Sequence, residues 1–407
     1  MKLRLIFLAL LFVWGLQSWG QNYGNLSGRS DGLNVITTAV PFLMISPDAR
    51  SGSMGDAGVS SAPDVNSMHW NPAKYAYIES DFSFGLAYSP WLRNLVPDIN
   101  LAYLAFAKRV DDMSAIGATL RYFTLGDINF TDINGGDLGT YRPNEFAIDA
   151  TYARMLTDHL SGAVAARFIY SNLTQGQFVQ GAETKPGISV AADVAVYWEK
   201  EMEWFRDIGS TFAWGINISN IGNKIGYSGS SIRRDFIPTN LRFGPTLHLE
   251  LDDYNTIAFS LDFNKLLVPT PPLYRLDSLA NPIPIPGSDK FEIESGLDND
   301  VSVVAGMLQS FYDAPGGFSE ELRELSYAFG VEYWYNEVFA LRGGAFYEDR
   351  SKGNRKFFTL GAGLRYNVFG LDFSYLIPVD TRNNPLGNTI RFALVFDMDA
   401  FSRQQER

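Results

Sequence analysis

The chain has 407 residues, a formal net charge of -12 and no cysteine. The charge argues against a nucleic-acid partner. The missing thiol excludes disulfides, thiol catalysis and Cys-ligated metals. An aromatic share of 14% favours a membrane barrel girdled by aromatic rings over a soluble exported domain.

Lys2 and Arg4 precede an apolar run from Leu5 to Leu16, and Ser18 and Gly20 follow as small residues. This pattern predicts a secretory signal peptide over 1–20, leaving Gln21 first after cleavage. The run is too short for a transmembrane helix, which needs roughly 20 residues. Residues 21–40 read as an exposed N-terminus that ends in Val35-Ile36-Thr37-Thr38-Ala39-Val40.

Residues 41–77 are rich in Gly, Ala, Ser and Asp. They hold neither a helical nor a strand period, so they form neither a long amphipathic helix nor a sheet strand. Small residues pack in confined space, and Gly52, Gly55 and Gly58 allow backbone angles that other residues resist. The expectation is an N-terminal segment, 21–78, that folds into the lumen of a barrel made by 79–407. At its end Trp70-Asn71-Pro72-Ala73 reads as a turn that wedges this plug against the wall, because Asn-Pro starts turns. The alternative is a gate that moves.

From Glu79 onward the period becomes two. In the last strand Ile390, Phe392, Leu394 and Phe396 share one face, and Arg391, Ala393, Val395 and Asp397 the other. Phe358, Leu360, Ala362, Leu364 and Tyr366 likewise oppose Thr359, Gly361, Gly363 and Arg365. One greasy face and one small or charged face is the signature of a transmembrane strand. Fourteen segments are predicted: 80–90, 100–110, 113–125, 144–156, 158–173, 187–199, 209–220, 239–251, 254–267, 324–336, 338–349, 356–367, 369–379 and 388–398. The fold class is therefore all-β, a 14-stranded antiparallel transmembrane barrel.

Tight connections alternate with long ones, as expected for short periplasmic turns and long outer loops. The longest, 268–323, is dense in proline (Pro269, Pro271, Pro272, Pro282, Pro284, Pro286). That composition predicts extended polyproline chain and no sheet pairing. Short helices are expected within Val301–Tyr312 and Ser319–Arg323. Leu308, Phe311, Tyr312 and Phe318 are apolar residues in a loop and are candidates for a partner-binding surface.

No catalytic constellation, cofactor site or metal site is predicted. His69, His159 and His248 have no ligand spacing. Asp111-Asp112 and Asp252-Asp253 read as hairpin turns. Trp334 and its tyrosine neighbours read as a membrane-interface girdle.

The run Asp48 to Val59, followed by Trp70-Asn71-Pro72-Ala73, resembles the plug of FadL-like outer-membrane barrels. With Phe311-Tyr312-Asp313-Ala314-Pro315-Gly316-Gly317-Phe318 and Val331-Glu332-Tyr333-Trp334-Tyr335, it most resembles the PorV family of the type IX secretion system of Bacteroidetes. The resemblance covers about Asn34 to the C-terminus. It implies a protein that binds C-terminal signal domains of cargo leaving an SprA-type translocon barrel and delivers them to a PorU-type sortase. It implies an outer-membrane lipid environment and no chemistry from the barrel itself. The wider FadL-like family implies an alternative, transport of fatty acids or other hydrophobic molecules. A passive porin is a third, weaker reading.

Overall fold

The computed structural model describes residues 33–398 except 94–95, 97, 132–134, 177, 180–181, 205–207, 228–233, 289 and 381–383. The expected signal peptide, 1–20, and the adjoining 21–32 lie outside the described residues.

Fourteen strands form one closed barrel. They are β1 Phe82–Pro90, β2 Asn100–Asp111, β3 Ser114–Thr124, β4 Asn144–Thr157, β5 Leu160–Asn172, β6 Gly187–Glu201 and β7 Gly209–Gly222. The second half comprises β8 Asn240–Glu250, β9 Asn255–Leu266, β10 Ser326–Tyr335, β11 Phe339–Tyr347, β12 Lys356–Tyr366, β13 Phe369–Pro378 and β14 Ile390–Asp397. Each pairs antiparallel with its sequence neighbours, and β14 closes on β1 from Ser83↔Asp397 to Tyr88↔Phe392. Every predicted strand is present, and closure leaves no sheet edge with unpaired backbone groups.

The side-chain period sets the two surfaces. On β14, Phe392 and Leu394 are exposed while Arg391 and Ala393 are buried. On β12, Phe358, Leu360 and Leu364 are exposed while Thr359 is buried. An exposed face of Phe, Leu and Val on a closed ring is a lipid-facing wall. Near the short-turn end, Phe369, Phe396, Phe84 and Phe106 contact in sequence round the outside, with centroids 5.2–5.3 Å apart. That row is an aromatic girdle.

Three long connections carry small ladders: Ile128–Thr131 with Asp137–Tyr141, Phe178–Val179 with Ala182–Glu183, and Leu273–Tyr274 with Ile293–Ser295. The last corrects the expectation of an unpaired polyproline loop. Leu276 bridges Pro282, and Pro284 bridges Phe291. The prolines alternate with Ile283 and Ile285, whose N–H groups donate to Arg275 O and Lys290 O, both at 2.9 Å. Proline at every second position removes only donors that such a ladder leaves unused. The expected helices are present as α3 Val303–Gln309 and α4 Phe318–Arg323, following two single-turn helices, α1 Ala49–Gly52 and α2 Ser67–Trp70.

Candidate functional site

Residues 39–78 are almost wholly buried, and their partners are inward-facing groups around the ring. Arg121 of β3 donates to Leu43 O at 2.6 Å, and Ser161 of β5 to Ala73 O at 2.7 Å. Asn217 of β7 donates to Trp70 O at 3.0 Å. The Asp262 carboxylate of β9 accepts from Gly58 N and Val59 N at 2.8 and 2.9 Å. Thr359 of β12 accepts from Gly55 N and donates to Ser53 O, both at 2.8 Å. Arg391 of β14 donates to Gly52 O at 3.1 Å. An irregular segment cannot satisfy its own backbone in a dry interior, so the inward polar residues supply the missing partners.

Close approach explains the glycines. Gly55 has φ of 69°, and a Cβ there would stand 2.5 Å from Ala345 O on β11. Gly344 of β11 faces it, where a Cβ would stand 2.1 Å from Gly55 N.

A buried ion network fastens the same segment. Arg50, at the base of α1, donates to both oxygens of Glu332 on β10 at 2.9 and 2.7 Å. Arg342 of β11 donates to Glu332 at 2.6 Å and to Asp372 of β13 at 2.7 Å. Arg365 of β12 completes the chain on Asp372 at 2.8 Å. Trp334 is not in the outer girdle. It shares the inward face of β10 with Glu332, and the Arg342 and Arg365 guanidiniums lie 5.2 and 5.4 Å from its ring centroid. Tyr333 and Tyr335 hold the outward alternates.

The Trp70–Ala73 motif makes a turn. Asn71 caps the 3₁₀ helix Pro72–Tyr77 by accepting from Ala73 N at 3.0 Å, with proline at the first helical position. Its amide also donates to Val59 O and to Val196 O of β6, both at 3.0 Å. Trp70 Nε1 donates to Asp48 at 2.6 Å, and the Arg242 guanidinium stacks 4.6 Å from the indole. Above this turn, a cavity of about 510 Å³ is lined by Phe42, Trp70, Phe123, Arg242 and Arg391 among others.

The segment runs the length of the barrel. Asn34 N donates to Ser351 O at 2.9 Å, and its amide reaches Pro271 O and Glu320, all on long-loop connections. At the other end Ser80 donates to Asp397 at 2.6 Å, where β14 ends and β1 begins.

The long loop has a polar base and an apolar outer face. Lys265 of β9 pairs with Glu321 and Glu324 at 3.0 and 2.6 Å, and Lys352 with Glu320 and Glu324 at 2.6 and 2.9 Å. Beyond that latch, Leu308, Phe311, Tyr312 and Phe318 are 65%, 49%, 67% and 76% exposed. α3 keeps only Gly306 and Gln309 buried, so its apolar stripe faces away from the barrel.

Asp313 sits in the base and accepts from Thr270 N at 3.1 Å and Gln309 at 3.3 Å. Burial, with help from Glu321, pushes its carboxyl up to about 6. A raised carboxyl favours the protonated folded form, so its ionisation loosens the loop above about pH 6. That penalty fades as pH falls toward the ordinary value of about 4. Asp313→Asn is expected to slow amide exchange at the loop base at pH 8 and to match wild type near pH 4. Equal exchange at pH 8 counts against this reading of the base.

The histidines gather no metal set: among the described residues no group of three or more His, Cys, Asp or Glu could hold an ion. His69 Nδ1 accepts from Arg121 at 2.8 Å. Asp111 and Asp252 cap their own turns by accepting from Met113 N and Tyr254 N, both at 2.9 Å. The ion network and the two lysine latches escaped sequence reasoning. Their only signal was charge, at inward strand positions for Glu332, Arg342, Arg365, Asp372 and Lys265 and outside the barrel strands for the rest, and charge alone does not say which groups meet.

A family model described as "Type IX secretion system protein PorV" matches residues 28–273. No curated protein matches the chain. Among solved structures, a Pseudomonas aeruginosa FadL homologue is similar at 10% identity and TM-score 0.40, over 89% of this chain and 99% of that one. The Pseudomonas putida toluene transporter TodX is similar at 11% identity and TM-score 0.45, over 86% and 96%. With the family match spanning more than half of the sequence, the chain belongs to the PorV family of type IX secretion system proteins, outer-membrane β-barrels.

Proposed function

We propose that the protein is a non-enzymatic docking platform that binds C-terminal signal domains of cargo as they leave an SprA-type translocon barrel and passes them to a PorU-type sortase. The supporting observation is the uncovered apolar face of the long loop, held to the rim by buried ion pairs. Isolated soluble surfaces seldom keep so many large apolar groups together unless a partner covers them. On this reading residues 1–20 are removed on export, 21–78 end in a plug, and 79–407 form the barrel. On the same reading the plug stays in place and its Asn71 turn is structural, which the bonds from residues 43–73 to several strands support.

Removing the gene is the direct test. Cargo bearing the signal domain is expected to stay unanchored in the mutant and to regain the surface on complementation. Normal secretion and anchoring without the gene ends this reading.

A second reading, a FadL-type transporter of fatty acids or other hydrophobic molecules, is favoured by the cavity of about 510 Å³. It needs the plug to move. Uptake of labelled fatty acid into proteoliposomes supports it, and no uptake excludes it.

A further inference from the structure

On the outer wall, at the long-loop end, β5 and β6 end near Asn223, Lys224, Arg234 and the chain entering α3. Between them lies a cleft of about 480 Å³. Its floor is Ile188 and Val190, 58% and 54% exposed and facing outward. They pair with Tyr170 and Phe168 of β5, so the floor continues the lipid-facing wall. Its roof carries Lys224 and Arg234, with Ser302 and Val303 at one side.

Lys224 is held in place by Phe236, whose ring centroid lies 4.2 Å from Nζ. Its ion pair with Asp300, at 3.3 Å, leaves that carboxylate 76% exposed. With its carboxylate this exposed, the pair is weak on the Asp300 side, so that carboxylate can give way to a better anion. Arg234 is exposed beside it.

We propose that this cleft binds an outer-leaflet lipid with a phosphorylated headgroup, the phosphate between Lys224 and Arg234 and an acyl chain along Ile188 and Val190. A small anion has no use for the apolar floor. A neutral lipid has no use for the two cations. The cleft sits where both halves of such a molecule meet the barrel, at the boundary between hydrocarbon and headgroup. Basic residues at a membrane surface contribute about 1 kcal/mol each toward an anionic lipid.

The test titrates the detergent-solubilised protein with diphosphoryl lipid A, its dephosphorylated form and inorganic phosphate, read by native mass spectrometry. Wild type is expected to retain one diphosphoryl lipid A. Lys224→Gln/Arg234→Gln is expected to bind it about 30-fold more weakly, as loss of two such contacts predicts. Ile188→Asp is expected to weaken it as well. Dephosphorylated lipid should bind wild type as poorly as the phosphorylated lipid binds the double variant. Equal binding by the two lipids on wild type, an unchanged double variant, or displacement by inorganic phosphate at equimolar concentration overturns the proposal.

Discussion

Replacing Glu332 with Gln is expected to loosen the N-terminal segment locally, where α1 meets the barrel wall. The side chain keeps its volume, so packing is unchanged, but Arg50 and Arg342 then face each other without the carboxylate between them. Both guanidiniums bond to it now, at 2.6–2.9 Å, and both are buried. Breaking a buried ion pair from one side costs about 3–5 kcal/mol, because the remaining charge has nowhere to be solvated. Arg50 retains Asp64 at 3.0 Å and Arg342 retains Asp372, which places the loss near the lower end of that range. Trypsin offers a direct readout. Arg50 and Lys74 are buried in the wild type and are expected to resist cleavage, whereas the variant is expected to be cut at Arg50 while Lys74, held by Gly58 O and Ser61, stays protected and the barrel band persists. Identical digestion patterns contradict the assignment of Glu332 as a fastening point for α1.

The second large effect belongs to the long loop. Leu308→Asp, Phe311→Asp and Phe318→Asp together are expected to abolish capture of the translocon barrel and of cargo signal domains without disturbing the fold. Leu308 and Phe318 project into solvent and Phe311 is half-exposed, its ring centroid 5.8 Å from Lys265 Nζ, so none of the three fills a core position. Aromatic anchors at an interface centre are each worth about 2 kcal/mol or more. Losing several drops affinity by roughly a thousandfold or beyond. Co-purification from cells that carry the tagged variant checks this against wild type. Undiminished recovery of both partners places the docking surface elsewhere.

The barrel was readable because its strands obey a period of two with unlike faces. Phe392 and Leu394 against Arg391 and Ala393 already tell lipid from lumen. The connections were readable because turn length alternates. What sequence could not supply is who meets whom inside. Arg50 and Glu332 are 282 positions apart, and only the closed ring and its register bring them together. Trp334 misled because its flanking tyrosines do face outward. The parity that puts Glu332 inside puts Trp334 there too. The proline-rich stretch misled through composition: proline density argues against pairing, but its every-second spacing permits it. Leu308, Phe311, Tyr312 and Phe318 were legible as loop apolar residues. Their shared exposure above a charged latch was not, because Lys265 comes from β9 and Lys352 from the distant connection between β11 and β12.

A docking platform of this kind needs a plug that stays in place while the loops do the work. Ser60 Oγ and Thr246 Oγ1 lie 2.8 Å apart, one on the segment and one on β8. The chain has no cysteine of its own, so Ser60→Cys/Thr246→Cys installs a single cross-link between plug and wall. Cells carrying only the cross-linked protein are predicted to secrete and anchor cargo at the wild-type level, with or without reductant. Loss of surface cargo in the oxidised form, restored by reduction, shows that the plug must move and contradicts the account.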